Sequence, residues 1–352
     1  MGEILGLGIS HYPPFSGKNE SMANIFFGRL KDPALPPLML NRENWHPDLL
    51  RELGSDDGEA AAAVHRARMA EGFQTCMTVL REFDPDFCVI WGDDQYENFR
   101  EDIVPPYCIL AYDDMELKPW AQAQESSDMK GKPNYWNEGS DYTLPVKFAT
   151  DAARDVTSLL LHSGFDMSYA YKPLHHPGIA HSILNAILYL DYERQGFPWP
   201  VLPCTVNCYG DKVISHKGFV SSLGDIRRPD PPAPSPSRCF DLGAEMARYF
   251  ADSPYRVAMI ASSSWSHAFL CDKTYRMMPD VDFDRDMYQH LVEGDYQYWR
   301  SKSLKDLTDS GNQEMLNWMA LLGAMSVLDR KPKWSDFVET RLFNSSKVAA
   351  VF

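Results

Sequence analysis

The chain has 352 residues, 44% of them hydrophobic and 24% charged, a balance that suits a globular enzyme with a sizeable core and excludes wholesale disorder. Its formal net charge of −15 works against nucleic acid or an anionic membrane as partner, because both need clustered Lys and Arg to displace counterions. No stretch reaches membrane-spanning length, and Met1 leads directly into an apolar run with no basic n-region or long h-region, so a cytoplasmic location is expected. The seven cysteines are scattered and form no Cys-x-x-Cys pair; they read as small core residues, not as a disulfide framework or a zinc knuckle.

In chain order, Glu3 to Ile9 reads as a strand, followed by a Pro- and Gly-containing loop at 13–17 and a polar, Pro-rich insertion to about Asp57. Residues 58–83 carry Ala, Met, Val and Leu at helical spacing, stop at Asp84-Pro85, and give way to a strand over Asp86 to Gly92, which makes a βαβ unit. A short strand is expected at 105–110 and an aromatic-rich loop with the look of a lid from Lys118 to Asp141. Helix is expected from Leu144 to Ser163, strand from Met167 to Tyr171, apolar helix from Ile179 to Leu190, and buried strand from Trp199 to Cys208. The Pro-rich run from Arg227 to Ser237 reads as a rigid exposed connection, with helix starting at Cys239 and strand at Tyr255. Beyond Asp280 the pattern is mainly helical, and no internal repeat is visible. Alternating helices and strands predict a single αβα domain whose central, mostly parallel or mixed sheet is covered by helices on both faces.

Chemistry-bearing residues cluster at the expected strand ends, where open α/β sheets place their sites. His11 leaves the first strand beside Gly8 and Pro13, a seat that suits a metal ligand. Glu314 stands in an otherwise apolar helical run with Met315, Leu316 and Trp318, and a carboxylate there needs a partner or a cation. His267 follows a strand in Ser264-Trp265-Ser266-His267 and suits a general base. His175 and His176, before Pro177-Gly178, bring two imidazoles to another strand end and are candidates for substrate contact. His46, His162, His216 and His290 lie in polar surroundings and read as surface residues.

Nine short motifs in one order resemble the catalytic subunit of class III extradiol ring-cleavage dioxygenases, the protocatechuate 4,5-dioxygenase β-subunit family, and within it the 3-O-methylgallate dioxygenase-like branch. They are Gly8-Ile9-Ser10-His11, Asp93-Asp94-Gln95 through Pro105, His176-Pro177-Gly178, Pro203 to Asn207 and Arg238 to Gly243, then Ser264 to His267, Phe283 to Met287, Glu314 to Trp318 with Gly323-Ala324, and Phe343 to Ser346. The resemblance implies a mononuclear non-haem Fe(II) held by two histidines and a glutamate, with positions left open for substrate and O₂. His11 then matches the first histidine ligand and Glu314 the carboxylate; His267 matches the acid/base histidine and His176 a substrate-pocket histidine, with His175 beside it.

The second histidine ligand is where the chain departs, because the family's Asn-Asp-His aligns with Asp93-Asp94-Gln95 and puts Gln95 at the ligand position. A glutamine oxygen is a weaker donor than imidazole; Asp94, Glu97, His65 and His46 stand as alternatives. What the resemblance implies is extradiol cleavage of a small aromatic diol, a catechol carrying a carboxylate or methoxy group, with O₂ as co-substrate. It also implies a homo-oligomer, a homodimer in the family's manner, without a fused small subunit. The rival readings are a non-oxidative metal-dependent enzyme on the same scaffold and an accessory subunit that has lost turnover.

Overall fold

The computed structural model describes residues 2–123, 131–209, 216–218, 222–225 and 228–352. Strand β1 (Glu3–Ile9) is followed by the short helices α1 (Asn24–Arg29) and α2 (Pro47–Leu53), and then by the long helix α3 (Glu59–Phe83), which ends where Asp84 turns left-handed. Next come β2 (Phe87–Asp93), β3 (Tyr107–Leu110), β4 (Met115–Leu117), α4 (Pro119–Ala123), β5 (Leu144–Val146), α5 (Thr150–His162), β6 (Ser168–Ala170), α6 (His181–Leu190) and β7 (Val201–Val206). The remainder holds α7 (Pro236–Ala251), β8 (Arg256–Ser262), α8 (Val281–Glu293), α9 (Tyr296–Arg300), α10 (Leu304–Asp309), α11 (Met315–Val327), β9 (Trp334–Val338) and β10 (Lys347–Val351).

Among the described residues the main sheet has eight strands in the order β6-β3-β7-β2-β8-β1-β10-β9, mixed, with a parallel centre formed by β7, β2, β8 and β1. Alternation along each central strand divides its side chains between two cores, as the strand pleat requires. Val89, Trp91, Leu202, Cys204, Val257 and Met259 join the core that includes α5, α7 and α11, while Cys88, Ile90, Val201, Ala258 and Ile260 join the one that includes α3 and α6. Helices therefore cover both faces, and the parallel strands are mainly apolar, with polar residues chiefly at their ends, because neither face meets water. All seven cysteines are buried and free of disulfides. No helix among the described residues is long and apolar enough to cross a membrane.

The structure corrects four expectations. Beyond Asp280 four helices do form, but they are followed by strands the pattern did not show: β9 and β10 add an antiparallel pair beside β1, with Leu7 opposite Val351. Lys347, Ala349 and Ala350 favour helix on propensity, but tertiary burial against β1 and α3 overrides them. Residues 144–146 form β5, paired with β4 in a small separate sheet, so the helix expected from Leu144 begins only at Thr150. Helix α7 starts three residues before Cys239, because Pro236 fits the first turn and the Ser235 hydroxyl accepts from Arg238 N–H at 3.3 Å. Arg227, at the head of that connection, lies outside the described residues. The described part of the loop from Lys118 to Asp141 is packed down, not lid-like: Tyr135 N–H donates to Ser16 O at 2.7 Å, and Trp136 stacks on Trp120 and Tyr189 with Arg194 3.9 Å over its ring.

Candidate metal centre and its cavity

Four parallel strands end on the same side, and their carboxyl ends deliver the site. β1 leads to His11, β2 closes with Asp93, β7 leads to Tyr209, and β8 leads through Ser262 and Ser264 to His267. Two glycines make room for the pieces that come from helices. A Cβ on Gly8 would collide with the Trp318 ring of α11, whose N-cap is Glu314; a Cβ on Gly92 would collide with Ser182 at the start of α6. The second of these lets the α6 N-terminus, with His181, come up against β2. Ser182 Oγ–H then donates to Asp93 O at 2.6 Å, and Ser262 Oγ–H donates to Ser182 O at 2.7 Å.

This chain of hydroxyls also sets the tautomer of His11. Because the Ser262 proton is committed to Ser182, its oxygen is left to accept from His11 Nδ1–H at 3.2 Å, which leaves Nε2 as the free donor of a lone pair. His181 is held in the same way, with Nδ1 2.9 Å from Glu97 Oε2 and its backbone N–H donating to Glu97 Oε1 at 2.9 Å. Outer carboxylates and hydroxyls that fix imidazoles through Nδ1 are the usual support of metal-binding histidines.

One ligand atom each from His11, Asp93 and His181 lie within 4.8 Å of one another. His11 Nε2 is 3.7 Å from Asp93 Oδ1 and 3.5 Å from Glu314 Oε2, and the His11 and His181 rings meet edge-on at 5.1 Å. Both Asp93 carboxylate oxygens are buried with no hydrogen-bond partner. Such a group is costly to leave uncompensated, and a cation is what would satisfy it. The donor set of two imidazoles and a carboxylate, with Glu314 adjacent, fits a first-row divalent metal.

Titration follows the crowding. Burial pushes Asp93 up to about 6, and burial with the neighbouring Asp93 charge pushes Glu314 well above the usual carboxylate range. Burial and the charges of His181 and His267 hold His11 well below an ordinary imidazole. For His181, burial opposes the charged ring, but Glu97, Asp93 and Glu314 outweigh it and push it up to about 10. Protons on His181 and the carboxylates thus stand in for positive charge that a metal would supply, and metal binding would displace them.

Glu314 is fixed from three sides. Tyr209 O–H donates to Oε1, Ser264 N–H donates to Oε2 at 3.1 Å, and His267 Nε2 lies 3.3 Å from Oε1. His267 is buried, its Nδ1 lacks a partner, and burial, followed by the Lys347 charge, pushes its pKa down to about 3, so the ring is neutral at pH 7. Beneath it Asp284 Oδ1 accepts from Ser266 N–H at 3.3 Å and from the Asn312 amide at 3.0 Å. His11, His181, His267, Glu314 and Gln95 all line one cavity of about 150 Å³.

Of the sequence-derived candidates, His11, Glu314 and His267 come together. Gln95 lines the same cavity, with its amide donating to Gly218 O at 3.2 Å, but the groups that converge on His11 Nε2 are Asp93, His181 and Glu314. The alternatives have other duties. Asp94 accepts the backbone N–H groups of Glu97, Asn98 and Phe99 and so caps that turn, and Glu97 holds His181. His65 packs on Phe343, and His46 Nδ1 accepts from Asp48 N–H as the cap of α2. His175 pairs with Asp102 at 2.7 Å, and His176 Nδ1 accepts from Gly178 N–H at 3.2 Å; both are half-buried and neither lines the cavity. Sequence reasoning passed over His181, Asp93 and Tyr209. The available signal was an imidazole at the first position of an apolar helix, three residues after Gly178.

Residues 230–351 match the sequence model of a family described as the catalytic LigB subunit of aromatic ring-opening dioxygenase. Similar curated proteins include the 2,3-dihydroxyphenylpropionate/2,3-dihydroxicinnamic acid 1,2-dioxygenase of Photorhabdus laumondii, 20% identical over 210 residues, or 60% of this chain and 52% of the relative. Those of Mycolicibacterium paratuberculosis and Mycobacterium sp. strain MCS are each 25% identical, over 59% and 63% of this chain and 49% and 52% of theirs. The chain spans about half the length of the curated relatives it matches. The LigB-type match contains Glu314 and His267, whereas His11, Asp93 and His181 precede it.

Two outcomes follow from this geometry. In anaerobic titration with a divalent metal, His11→Ala, Asp93→Ala and His181→Ala should each weaken binding strongly, and Glu97→Gln should weaken it by about 10–100-fold as an outer partner. Gln95→Ala, measured alongside, should stay near wild-type affinity; if it loses metal while His181→Ala keeps it, the ligand role belongs to Gln95. The second concerns Asp284, which burial pushes from 3.8 to about 7. An acid whose folded pKa is raised binds its proton in the folded state where the unfolded chain has lost it, so its contribution to stability falls as pH rises from about 4 to about 7. Asp284→Asn removes that titration and should gain stability relative to wild type across this window, read from urea midpoints at stepped pH.

Proposed function

We propose that this protein is an extradiol dioxygenase that opens the ring of a vicinal aromatic diol with O₂ at a ferrous centre held by His11, His181 and Asp93, with Glu314 beside them. The observation that carries the reading is that His11, His181, Glu314 and a neutral His267 face one cavity of about 150 Å³ at the carboxyl ends of parallel strands, with Asp93 in ligand reach of His11 and His181. A cavity of about that volume accepts one benzene-sized ring. The LigB-type match and the names of the similar proteins support the same chemistry.

Ferrous iron, when bound, supplies exchangeable positions for diol and O₂ and the electron path between two reactants of mismatched spin. The chain does the rest. Pro13, Pro14, Ile25 and Phe269 form apolar wall that holds the ring and excludes water. His267, neutral and facing the cavity, takes the proton of a diol hydroxyl at a ring nitrogen and can return it to the product. Tyr209 and Ser264 keep Glu314 from swinging, so that His267 and the metal ligands hold a fixed separation.

The test is anaerobic loading with Fe(II), followed by oxygen-uptake measurement over a panel of catechols that includes 2,3-dihydroxyphenylpropionate. One O₂ should be consumed per diol, with the absorbance of a ring-opened product. His267→Ala should retain iron and bind diol, yet turn over about 10²–10⁴-fold more slowly. An iron-loaded protein that leaves O₂ untouched across the panel would overturn the reading.

A further inference from the structure

Resting on the ring-cleavage reading, we infer that the ring substituent accepted by this cavity is uncharged, such as a methoxy, ester, amide or further hydroxyl group, and not a carboxylate. Beyond the metal-side groups, the described wall consists of Pro13, Pro14, Ile25 and Phe269 with the neutral polar side chains of Ser21, Asn24, Gln95 and Asn344. No Lys or Arg lines it among the described residues. Three described cations on neighbouring segments are committed elsewhere. Arg66 donates to Asn19 Oδ1, Phe15 O and Gly17 O, each at 2.6 Å; Lys18 donates to Tyr135 O and Asn137 Oδ1; and Lys347, buried over the Tyr12 ring, donates to Phe343 O and Ser345 O. The His181 ring already faces Glu97 at 2.9 Å.

The charge already gathered makes the point sharper. Asp93 and Glu314 together balance a divalent metal, so a diol that loses one proton leaves the filled site negative before any substituent is counted. A substituent carboxylate would add a second buried negative charge with nothing facing it, and an unpaired buried charge is among the most costly arrangements in a protein. The amides of Asn24, Gln95 and Asn344 can donate to or accept from a neutral oxygen substituent instead. Ser21, Asn24 and Ile25 come from the Pro-rich insertion between β1 and α3, which makes that insertion the specificity-determining wall.

The experiment compares matched pairs on Fe(II)-loaded protein without oxygen, by calorimetry: 3-(2,3-dihydroxyphenyl)propionate against its methyl ester, 2,3-dihydroxybenzoate against its methyl ester, and unsubstituted catechol. Each ester should bind at least about tenfold more tightly than its acid. Ile25→Arg should swing the ratio toward the acids by about tenfold or more, and Asn24→Arg provides the same reversal from the adjacent position. Acids that bind wild type as tightly as their esters overturn the inference, as do both arginine variants leaving the ratio unchanged; catechol binding and cleavage would then leave the ring-cleavage reading standing. If neither catechol nor any of the four derivatives binds, the ring-cleavage reading falls and this one falls with it.

Discussion

Two carboxylates, Asp93 and Glu314, are buried within 3.7 Å of one imidazole nitrogen, and much of the surrounding structure serves to keep them there. Like charges in a dry site repel strongly and each also loses its hydration. Glu314 is compensated by Tyr209, Ser264 and its place at the α11 N-terminus, where the helix dipole favours negative charge. Asp93 has no such partners, since its side-chain oxygens are orphaned while its backbone oxygen accepts from Ser182. The asymmetry leaves Glu314 held in position and Asp93 buried without a compensating donor, the arrangement on which the proposed metal role rests.

Holding them requires close approach of helix to strand. The positions where α11 and α6 cross the sheet are Gly8 and Gly92, each one or three residues before a site residue, and larger side chains there would move Trp318 or Ser182 away. Trp318 in turn packs against Trp265, which precedes His267 by two residues and sits with Trp299 and Phe337 in the core under the site. Packing and chemistry are therefore coupled through short stretches of chain: a rigid aromatic core fixes the backbone, and the backbone aims the polar groups.

Much of this was legible in the sequence because its periods are strong. β1, α3, β2 and β8 stand out as uniform apolar runs or helical repeats, and the polar residues that interrupt them at strand ends, His11 and the Ser264 to His267 run, are those that meet in the cavity. Glu314 was visible for the opposite reason, as a charge beside an apolar helix. β10 was not legible, since Lys347 and two alanines hide a strand whose burial is decided by β1 and α3. His181 was hidden by its context as well. It opens a helix whose other residues are nearly all core, and its pairing with Glu97 spans 84 positions, a contact that no local pattern encodes.

The stretch from Asp93 to Phe99 divides several duties among neighbouring residues. Asp94 accepts three successive backbone N–H groups and folds the turn, the turn presents Glu97 to His181, and Asp93 faces the cluster from the end of the strand. Gln95, which lies between them, has no such duty: its amide donates to Gly218 O and the residue lines the cavity. When an imidazole from α6 occupies the space beside His11, a second one from position 95 is no longer required for a two-histidine donor set, and the side chain there is free to serve the wall. On the proposed reading, glutamine at position 95 marks a relocation, in which the α6 N-terminus would supply the ligand and the strand end a residue of the cavity wall.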